Sequence, residues 1–257
     1  MTLLLTKIYC WDGLLHSWIV FAADRRISKD GKYVATQKKI FQIPYLRAGV
    51  GYFGLAEVPT NRNSLSMRGW LTSFIRKNSK LTDLQSFSNV LADNLNKDIP
   101  AKCKKKNISG FHIAGYNSSG LPEFWYVRNV QDDCVTTTGT YKAREDFLRK
   151  HAFALGYDGK DPRSVRSRQV QIYRNGDMRA HVAAWENIDE SFGKLFEEPE
   201  FKRLKNIKDI EEWSKFKMEL ISYFYKKYCK ISLLARPIDS FSIRGKYIEQ
   251  NAPPDRG

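Results

Sequence analysis

Cysteine is scarce in this chain, and its four cysteines lie far apart in the sequence. A zinc site or a disulfide framework requires cysteines, or cysteines and histidines, at close and regular spacings. No such spacing links the cysteines at positions 10, 103, 134 and 229. The sequence therefore predicts neither a structural zinc ion nor a disulfide-stapled secreted domain, and scattered thiols fit the reducing cytoplasm.

Long hydrophobic runs are also missing, because no stretch reaches the ~20 consecutive apolar residues that cross a bilayer as a helix. The apolar stretch 14–23 contains His16 and ends at Asp24, which is typical of a buried strand. The first residues lack the basic segment and the long apolar segment of a secretory signal. We therefore expect a cytoplasmic protein with no membrane partner.

Acidic residues are too few to balance the basic ones, since 28 Asp and Glu stand against 43 Lys and Arg, for a net charge of +15. Such a charge attracts polyanions such as nucleic acid. The charge is spread along the chain, and its dense run at Lys102 and 104–106 is typical of a solvated loop. No nucleic-acid-binding motif is visible. A polyanion-binding module, whose binding would weaken steeply with salt, therefore stays an alternative.

The chain does contain enough apolar material for a sizeable core, with 42% hydrophobic and 13% aromatic residues among 257. It has no internal repeat, long linker or low-complexity block. This length is normal for one large domain that mixes helices and strands. We predict a single domain over residues 1–250 and a disordered, polar, proline-containing tail at 251–257.

Hydrophobic periodicity predicts blocks of strands that alternate with blocks of helices. A strand over residues 3–10, a turn at Asp12-Gly13 and a returning strand over 17–24 predict a hairpin that brings Asp24 beside the start of the first strand. Apolar residues at helical spacing predict helices at 67–75, after an N-cap at Thr82, and at 143–155, 188–201 and 210–228. Because strands and helices do not alternate one by one, we expect an α+β fold with mainly antiparallel sheets.

The start of the chain carries a possible nucleophile. Removal of Met1 would expose Thr2, whose hydroxyl and free amine together form a self-activating nucleophile and base. A neighbouring ammonium lowers the pKa of that amine, because like charges disfavour protonation. Lys39 can supply this ammonium, and Asp24 can hold Lys39 in place. The three residues therefore predict a catalytic site for acyl transfer.

These residues carry a resemblance to a known family. Asp24 within the sequence Ala-Ala-Asp-Arg, Lys39 within Lys-Ile-Phe-Gln-Ile, and the glycine-rich segment 49–57 resemble the proteasome β-subunit branch of the N-terminal nucleophile (Ntn) hydrolases. The resemblance covers residues 1–155 and returns at 236–243. The interval from Thr2 to Asp24 is longer than in that family. The resemblance implies a four-layer αββα sandwich, in which two mainly antiparallel sheets are flanked by helices.

The resemblance also implies further site residues. It assigns an oxyanion-stabilising N–H to Gly54, with Gly51 as second choice. Thr140, in Gly-Thr-Tyr, takes the position of the serine in the family's Gly-Ser-Gly turn; a helix N-cap at Thr138 or Thr140 is an equal alternative. The family's second acid has no clear match here, and its candidates are Asp158, Asp161 and Asp177. No metal or organic cofactor is expected.

The sequence thus predicts an N-terminal threonine hydrolase that cleaves a peptide or another small amide through an acyl-enzyme. Members of this branch assemble into rings or stacks, so we also expect a homo-oligomer, with helices 67–75 and 213–228 as possible interfaces. The alternative within the same fold is a catalytically silent scaffold or assembly subunit, since a fold does not prove an activity. The changed Gly-Thr-Tyr turn and the unmatched second acid favour that alternative.

Overall fold

The protein is described here from a computed structural model, which covers residues 3–29, 32–59, 64–131, 136–176, 180, 185–201, 204–229 and 236–245. The α-helices in these ranges are Met67–Lys77 (α1), Leu84–Asp98 (α2), Ala101–Lys106 (α3), Glu186–Gly193 (α4) and Ile207–Tyr228 (α5). None of the helices in the described ranges is long and apolar enough to cross a membrane. The predicted tail at 251–257 lies outside these ranges.

The strands follow the chain as Leu3–Asp12 (β1), His16–Asp24 (β2), Arg26–Lys29 (β3), Lys32–Thr36 (β4), Ile40–Ile43 (β5), Ala48–Phe53 (β6), Glu57–Pro59 (β7), Ser64–Ser66 (β8), Gly110–Tyr116 (β9), Pro122–Val130 (β10), Thr137–Glu145 (β11), Gln169–Gly176 (β12) and Ile238–Arg244 (β13). They form a four-stranded sheet, β12-β1-β2-β13, and a five-stranded sheet, β11-β10-β9-β6-β5. Two ribbons, β3-β4 and β7-β8, form separate two-stranded sheets. The neighbouring strands of all four sheets are antiparallel.

The predicted four-layer αββα sandwich is wrong. The strands of the described ranges are divided among four antiparallel sheets instead of two, because the segments that follow β2 and β6 fold back on themselves as the β3-β4 and β7-β8 ribbons. The presence of both helices and antiparallel strands agrees with the sequence patterns. The order of the strand and helix blocks therefore predicted antiparallel pairing, but it did not predict how many sheets the strands would form.

The β1-β2 hairpin is the centre of the four-stranded sheet, and its prediction is confirmed. Leu4 pairs with Ala23, and Gly13 takes the positive φ of 72° that the connecting turn requires. Successive side chains of a strand point to opposite faces. Leu4 accordingly packs with residues of the five-stranded sheet, whereas Leu3 and Leu5 pack with α5. The start of β1 is thus held on both faces.

The five-stranded sheet packs against α1 and α2. The sequence predicts these helices correctly, and each begins at a side-chain cap: Ser66 for α1 and Asp83 for α2. The α2 cap was expected one residue earlier, at Thr82, but Asp83 accepts the Ser86 N–H at 2.7 Å. The large apolar side chains of α1 are mostly buried against the protein's own core, with Trp70 and Leu71 among them. They are therefore not available to a neighbouring subunit.

Two further predictions are wrong. The α-helix expected over 143–155 is instead the end of β11 followed by a π-helix, Phe147–His151, and a 3-10 helix, Phe153–Leu155, because 137–145 pairs along β10. The basic run expected as a loop forms α3, and Lys104 is buried there and donates to the Asn96 carbonyl at 2.6 Å. Pairing with β10 determines the structure of 137–145, whereas the contact of Lys104 with Asn96 spans only eight residues.

The outer face of the four-stranded sheet packs on α5, and two lysines are buried there. Lys217 of α5 and Lys7 of β1 lie over the Trp185 ring, with their Nζ atoms 4.2 and 5.4 Å from its centre. The Lys217 Nζ also donates a hydrogen bond to the carboxylate of Asp189 in α4. Burial, followed by the charge of Lys7, lowers the pKa of Lys217 to about 6, against the opposing effect of Asp189. This cluster is costly to protonate, since burial penalises the charged form.

Candidate functional site

Asp24 and Lys39 form a fully buried ion pair. The Lys39 Nζ donates to the Asp24 Oδ1 at 3.0 Å, and both side chains have 0% of their surface exposed. The same ammonium donates to the Arg26 carbonyl at 2.6 Å. Lys39 therefore points inward and is held in one position, as the site hypothesis requires.

The Asp24 carboxylate also binds the start of β1. Its Oδ1 accepts the Leu3 N–H at 2.7 Å, and its Oδ2 accepts the Arg26 N–H at 3.1 Å. Leu3 is the residue that follows Thr2 in the sequence, and Thr2 itself lies outside the described residues. One carboxylate thus connects the buried ammonium to the backbone of the residue next to the expected nucleophile.

The surroundings change the charge properties of this pair. Burial raises the pKa of the Asp24 carboxyl, against the charge of Lys39 and the Leu3 and Arg26 N–H bonds. Burial likewise lowers the pKa of the Lys39 ammonium, against the charge of Asp24. A buried pair of this kind depends on both partners, because either charge alone would be uncompensated.

Backbone bonds between distant segments bring Lys39 to Asp24. Residues 37–39 connect β4 to β5 without regular structure, and the Gln37 N–H donates to the Arg25 carbonyl at 2.8 Å. The Lys39 carbonyl accepts the Tyr52 N–H of β6 at 3.1 Å. These bonds attach the segment around Lys39 to the end of β2 on one side and to β6 on the other.

The glycines expected at the oxyanion position lie at the end of β6. A Cβ on Gly51 would be 2.6 Å from the Leu4 side chain, so this glycine permits close approach of β6 to the start of β1. Gly54 follows β6 with a φ of +87° and is exposed. A Cβ there would be 2.2 Å from the Ile108 carbonyl oxygen. The backbone requires a glycine at position 54 whether or not the residue is catalytic, whereas Gly51 makes room only for neighbouring side chains.

Gly54→Ala should lower the free energy of unfolding by about 1–3 kcal/mol, because the φ and the contact with Ile108 both disfavour a side chain. Gly193→Ala in α4 is the matched control, since a Cβ there has no neighbour within 4 Å. The control should be neutral or more stable, by up to about 1 kcal/mol. Urea unfolding of both variants measures this difference. Equal stabilities would contradict the backbone role of Gly54.

Thr140 lies away from the ion pair. It is exposed near the middle of β11, the edge strand of the five-stranded sheet opposite to β5. Because Thr140 lies inside this strand, the segment neither forms a Gly-Ser-Gly-like turn nor caps a helix, and the Thr138 hydroxyl bonds to the Thr140 carbonyl and N–H. The structure does not bring Thr140 together with Asp24 and Lys39.

Two candidates for the second acid are also far from the pair. Asp158 and Asp161 are in a loop whose Pro162 carbonyl accepts the Leu14 N–H, at the tip of the β1-β2 hairpin. Leu3 is at the other end of β1, roughly 30 Å away at the rise of a strand. Both carboxylates instead accept backbone N–H groups of their own loop. The third candidate, Asp177, lies outside the described residues, and it follows Gly176, which pairs with Leu3.

A groove that the sequence patterns did not predict lies beside the ion pair. Its volume is about 710 Å³, and it lies between β5, β13 and α1. Lys38 and Ile40, on either side of Lys39, line it, and so does Asp239 of β13. Asp239 receives bonds of 2.9 and 2.8 Å from the Arg25 Nε. The sequence could not reveal this pair, because the two residues are 214 positions apart.

His112 is buried between the two larger sheets. Its Nδ1 is 3.0 Å from the Thr6 hydroxyl and its Nε2 is 2.5 Å from the Asn175 Oδ1, so both ring nitrogens have partners inside the protein. Within the described ranges, no group of three or more His, Cys, Asp or Glu side chains could hold a metal ion.

Comparison with models of known protein families finds no match for this chain, and comparison with the curated proteins finds none either.

Proposed function

We propose that this protein is an N-terminal threonine hydrolase that cleaves a peptide or another small amide bond, after removal of Met1 exposes Thr2. The observation that carries the proposal is the buried Lys39–Asp24 pair, whose carboxylate accepts the Leu3 N–H. A lysine so deeply buried beside the start of β1 is costly, since removing charges from water is penalised. A chemical role for the ammonium explains that cost.

The proposed reaction begins at the Thr2 hydroxyl. The free Thr2 amine takes the hydroxyl proton, directly or through a water molecule, while the oxygen attacks the amide carbonyl. Lys39 favours the neutral, basic form of that amine through its charge, and Asp24 holds Lys39 in place. The proton is then given to the leaving amine, and an ester with Thr2 remains.

Stabilisation of the oxyanion is assigned to a backbone N–H at the end of β6, with Gly54 as first choice and Gly51 as second. One such donor contributes about 3 kcal/mol in acyl-transfer enzymes. Water then attacks the ester, and the Thr2 amine again takes a proton, which regenerates the free hydroxyl. For the second acid we propose Asp177, because Asp158 and Asp161 are at the far end of the hairpin.

The mass of the intact protein, before and after treatment with a threonine-directed epoxyketone or β-lactone, tests the proposal. We expect a protein without Met1 that gains a single adduct, because the amine and hydroxyl of Thr2 react together. Thr2→Ala should gain none. Thr2→Ser, which keeps both reacting groups, is the matched control and should be labelled. A retained Met1, or labelling of Thr2→Ala, would contradict the proposal.

The second candidate function is a catalytically silent subunit that assembles with copies of itself. The exposed aromatic face of α5 favours it, since Phe216, Tyr223, Phe224 and Tyr228 are each 46–65% exposed. Large exposed apolar patches commonly mark interaction sites. The position of Thr140 on β11 also favours it. Assembly and catalysis are compatible, so the adduct experiment separates an active oligomer from a silent one.

A further inference from the structure

We propose that the groove between β5 and β13 binds an extended peptide segment that carries acidic side chains. This inference rests on the proposed function, because it names the substrate class of the same site. The supporting observations are the position of the groove, the free edges of its strands and its charge.

The groove lies directly beside the ion pair. Lys38 and Ile40 line it and are the chain neighbours of Lys39. On the opposite wall, Asp239 pairs with Ala23, the residue before Asp24, across the β2-β13 ladder. A segment bound in the groove therefore lies along the chain neighbours of Asp24 and Lys39, the buried pair that is proposed to support Thr2.

Both walls of the groove offer a strand edge. Among the described strands, β5 pairs only with β6, and β13 pairs only with β2, so each is at the end of its sheet. An edge strand presents N–H and C=O groups that can pair with an added extended segment. Apolar side chains stand beside these edges and line the same groove: Phe41, Tyr45, Ile75 and Phe241. This combination fits a peptide, whose backbone pairs with an edge while alternate side chains enter pockets.

The charge of the groove is positive. Lys38 and Arg76 line it, both are exposed, and neither has a carboxylate partner within the described part of the chain. Arg244 lines the continuation of the groove past Gln42. The acidic residue of the lining is Asp239, whose charge is balanced by Arg25. Acidic side chains of a bound segment would therefore be attracted, whereas basic ones would be repelled.

Nucleic acid is the competing polyanion, and the groove fits it less well. The strand edges of the groove offer backbone pairing, which a sugar-phosphate chain does not use, and its apolar side chains fit the side chains of a peptide. Recognition of single strands depends on stacking between bases and aromatic rings along a basic channel. The experiment therefore includes an oligonucleotide as a competitor.

The test measures binding and cleavage separately. Binding of a fluorescent, alanine-based peptide with Glu at alternate positions is measured by anisotropy with Thr2→Ala protein, which cannot cleave it. The matched peptides carry Lys or Ala at those positions. We expect the Glu peptide to bind roughly tenfold more tightly than the Ala peptide, the size of two exposed charge contacts. The active protein should cleave the three peptides in the same order.

Charge-reversal variants locate the effect. Lys38→Glu combined with Arg76→Glu should remove the preference for Glu or reverse it. The control is Lys77→Glu combined with Lys142→Glu, which changes the net charge equally at exposed positions outside the groove lining. The control variant should keep the preference. Both variants should unfold at the temperature of the parent, because all four side chains are exposed.

The outcomes separate the two proposals. Three results would overturn the groove assignment. The three peptides could bind equally, or the preference for Glu could survive in Lys38→Glu/Arg76→Glu. An oligonucleotide could also displace the peptide and bind that variant more weakly. Binding of the Glu peptide with no adduct on Thr2 and no cleavage would overturn the hydrolase while the groove assignment stands. Adduct formation on Thr2 without any charge preference would overturn the groove assignment while the hydrolase proposal stands.

Discussion

Lys39→Met should lower the free energy of unfolding by about 3–5 kcal/mol, the usual cost of removing one member of a buried ion pair. The substitution leaves the Asp24 carboxylate buried with 0% of its surface exposed and with backbone N–H partners alone. Methionine fills a similar volume, so little of the loss should come from an empty space. Urea unfolding at neutral pH measures the change.

A second substitution separates charge from packing. Asp24→Asn combined with Lys39→Met removes both charges and keeps an oxygen that accepts the Leu3 N–H. We expect the double variant to recover most of the stability lost in Lys39→Met, because no uncompensated charge remains. The double-mutant cycle then gives the coupling energy of the pair. If the stability losses of Lys39→Met and Asp24→Asn add up to the loss in the double variant, the two charges are not coupled in the folded protein.

The same variants separate stability from chemistry. Labelling of Thr2 by the electrophilic probe should fall by roughly 100-fold or more in Lys39→Met and in the double variant, the size of a lost acid–base contribution. The double variant is the informative one, since it should be folded and still unreactive. Normal labelling of a folded double variant would show that Thr2 does not depend on Lys39.

Stability should rise with pH between about 6 and about 10 because of Lys217. Its pKa in the folded protein is lowered to about 6, whereas 10.5 is its ordinary value. Between these values the unfolded chain binds one more proton, so raising the pH favours the folded state. This group alone contributes a slope of about 1.4 kcal/mol per pH unit. Burial also lowers the pKa of Lys7, which acts in the same direction.

Lys217→Met should remove that part of the slope and stabilise the protein at neutral pH. The control is Lys208→Met, because Lys208 is on the same helix and is exposed. Urea unfolding of the three proteins at pH 6.5, 7.5 and 8.5, roughly inside the expected window, measures the slopes. Parallel pH profiles for the parent and Lys217→Met would show that Lys217 is charged in the folded protein over this range.

Local patterns and chemical roles predicted the parts of the molecule that depend on neighbouring residues. The β1-β2 hairpin, α1 and α2 follow from periodicity, turns and caps. The Asp24–Lys39 contact followed from asking which groups a threonine amine would need. These features are determined by residues close together in the sequence or by the chemical groups that a proposed reaction requires.

Features that depend on distant pairing were not predictable in this way. The segment 143–155 has apolar residues at helical spacing, but β10 provides strand bonds for 137–145. Asp158 was a plausible acid by sequence position, yet its loop folds onto the hairpin tip. The burial of Lys7 in β1 depends on distant residues such as Lys217 of α5, which a local sequence pattern does not contain.

The β3-β4 ribbon has a consequence for how this molecule can be altered. Its two ends are fastened by bonds from Arg26 to Asp24 and Lys39, and by the bond from Gln37 to Arg25. The ribbon between those ends makes its ladder with itself alone. Its length and sequence can therefore change while the ion pair stays closed. A foreign peptide grafted between Lys29 and Lys32 would be carried as an exchangeable module, so the same fold could accept different attachments without redesign of the Asp24–Lys39 pair.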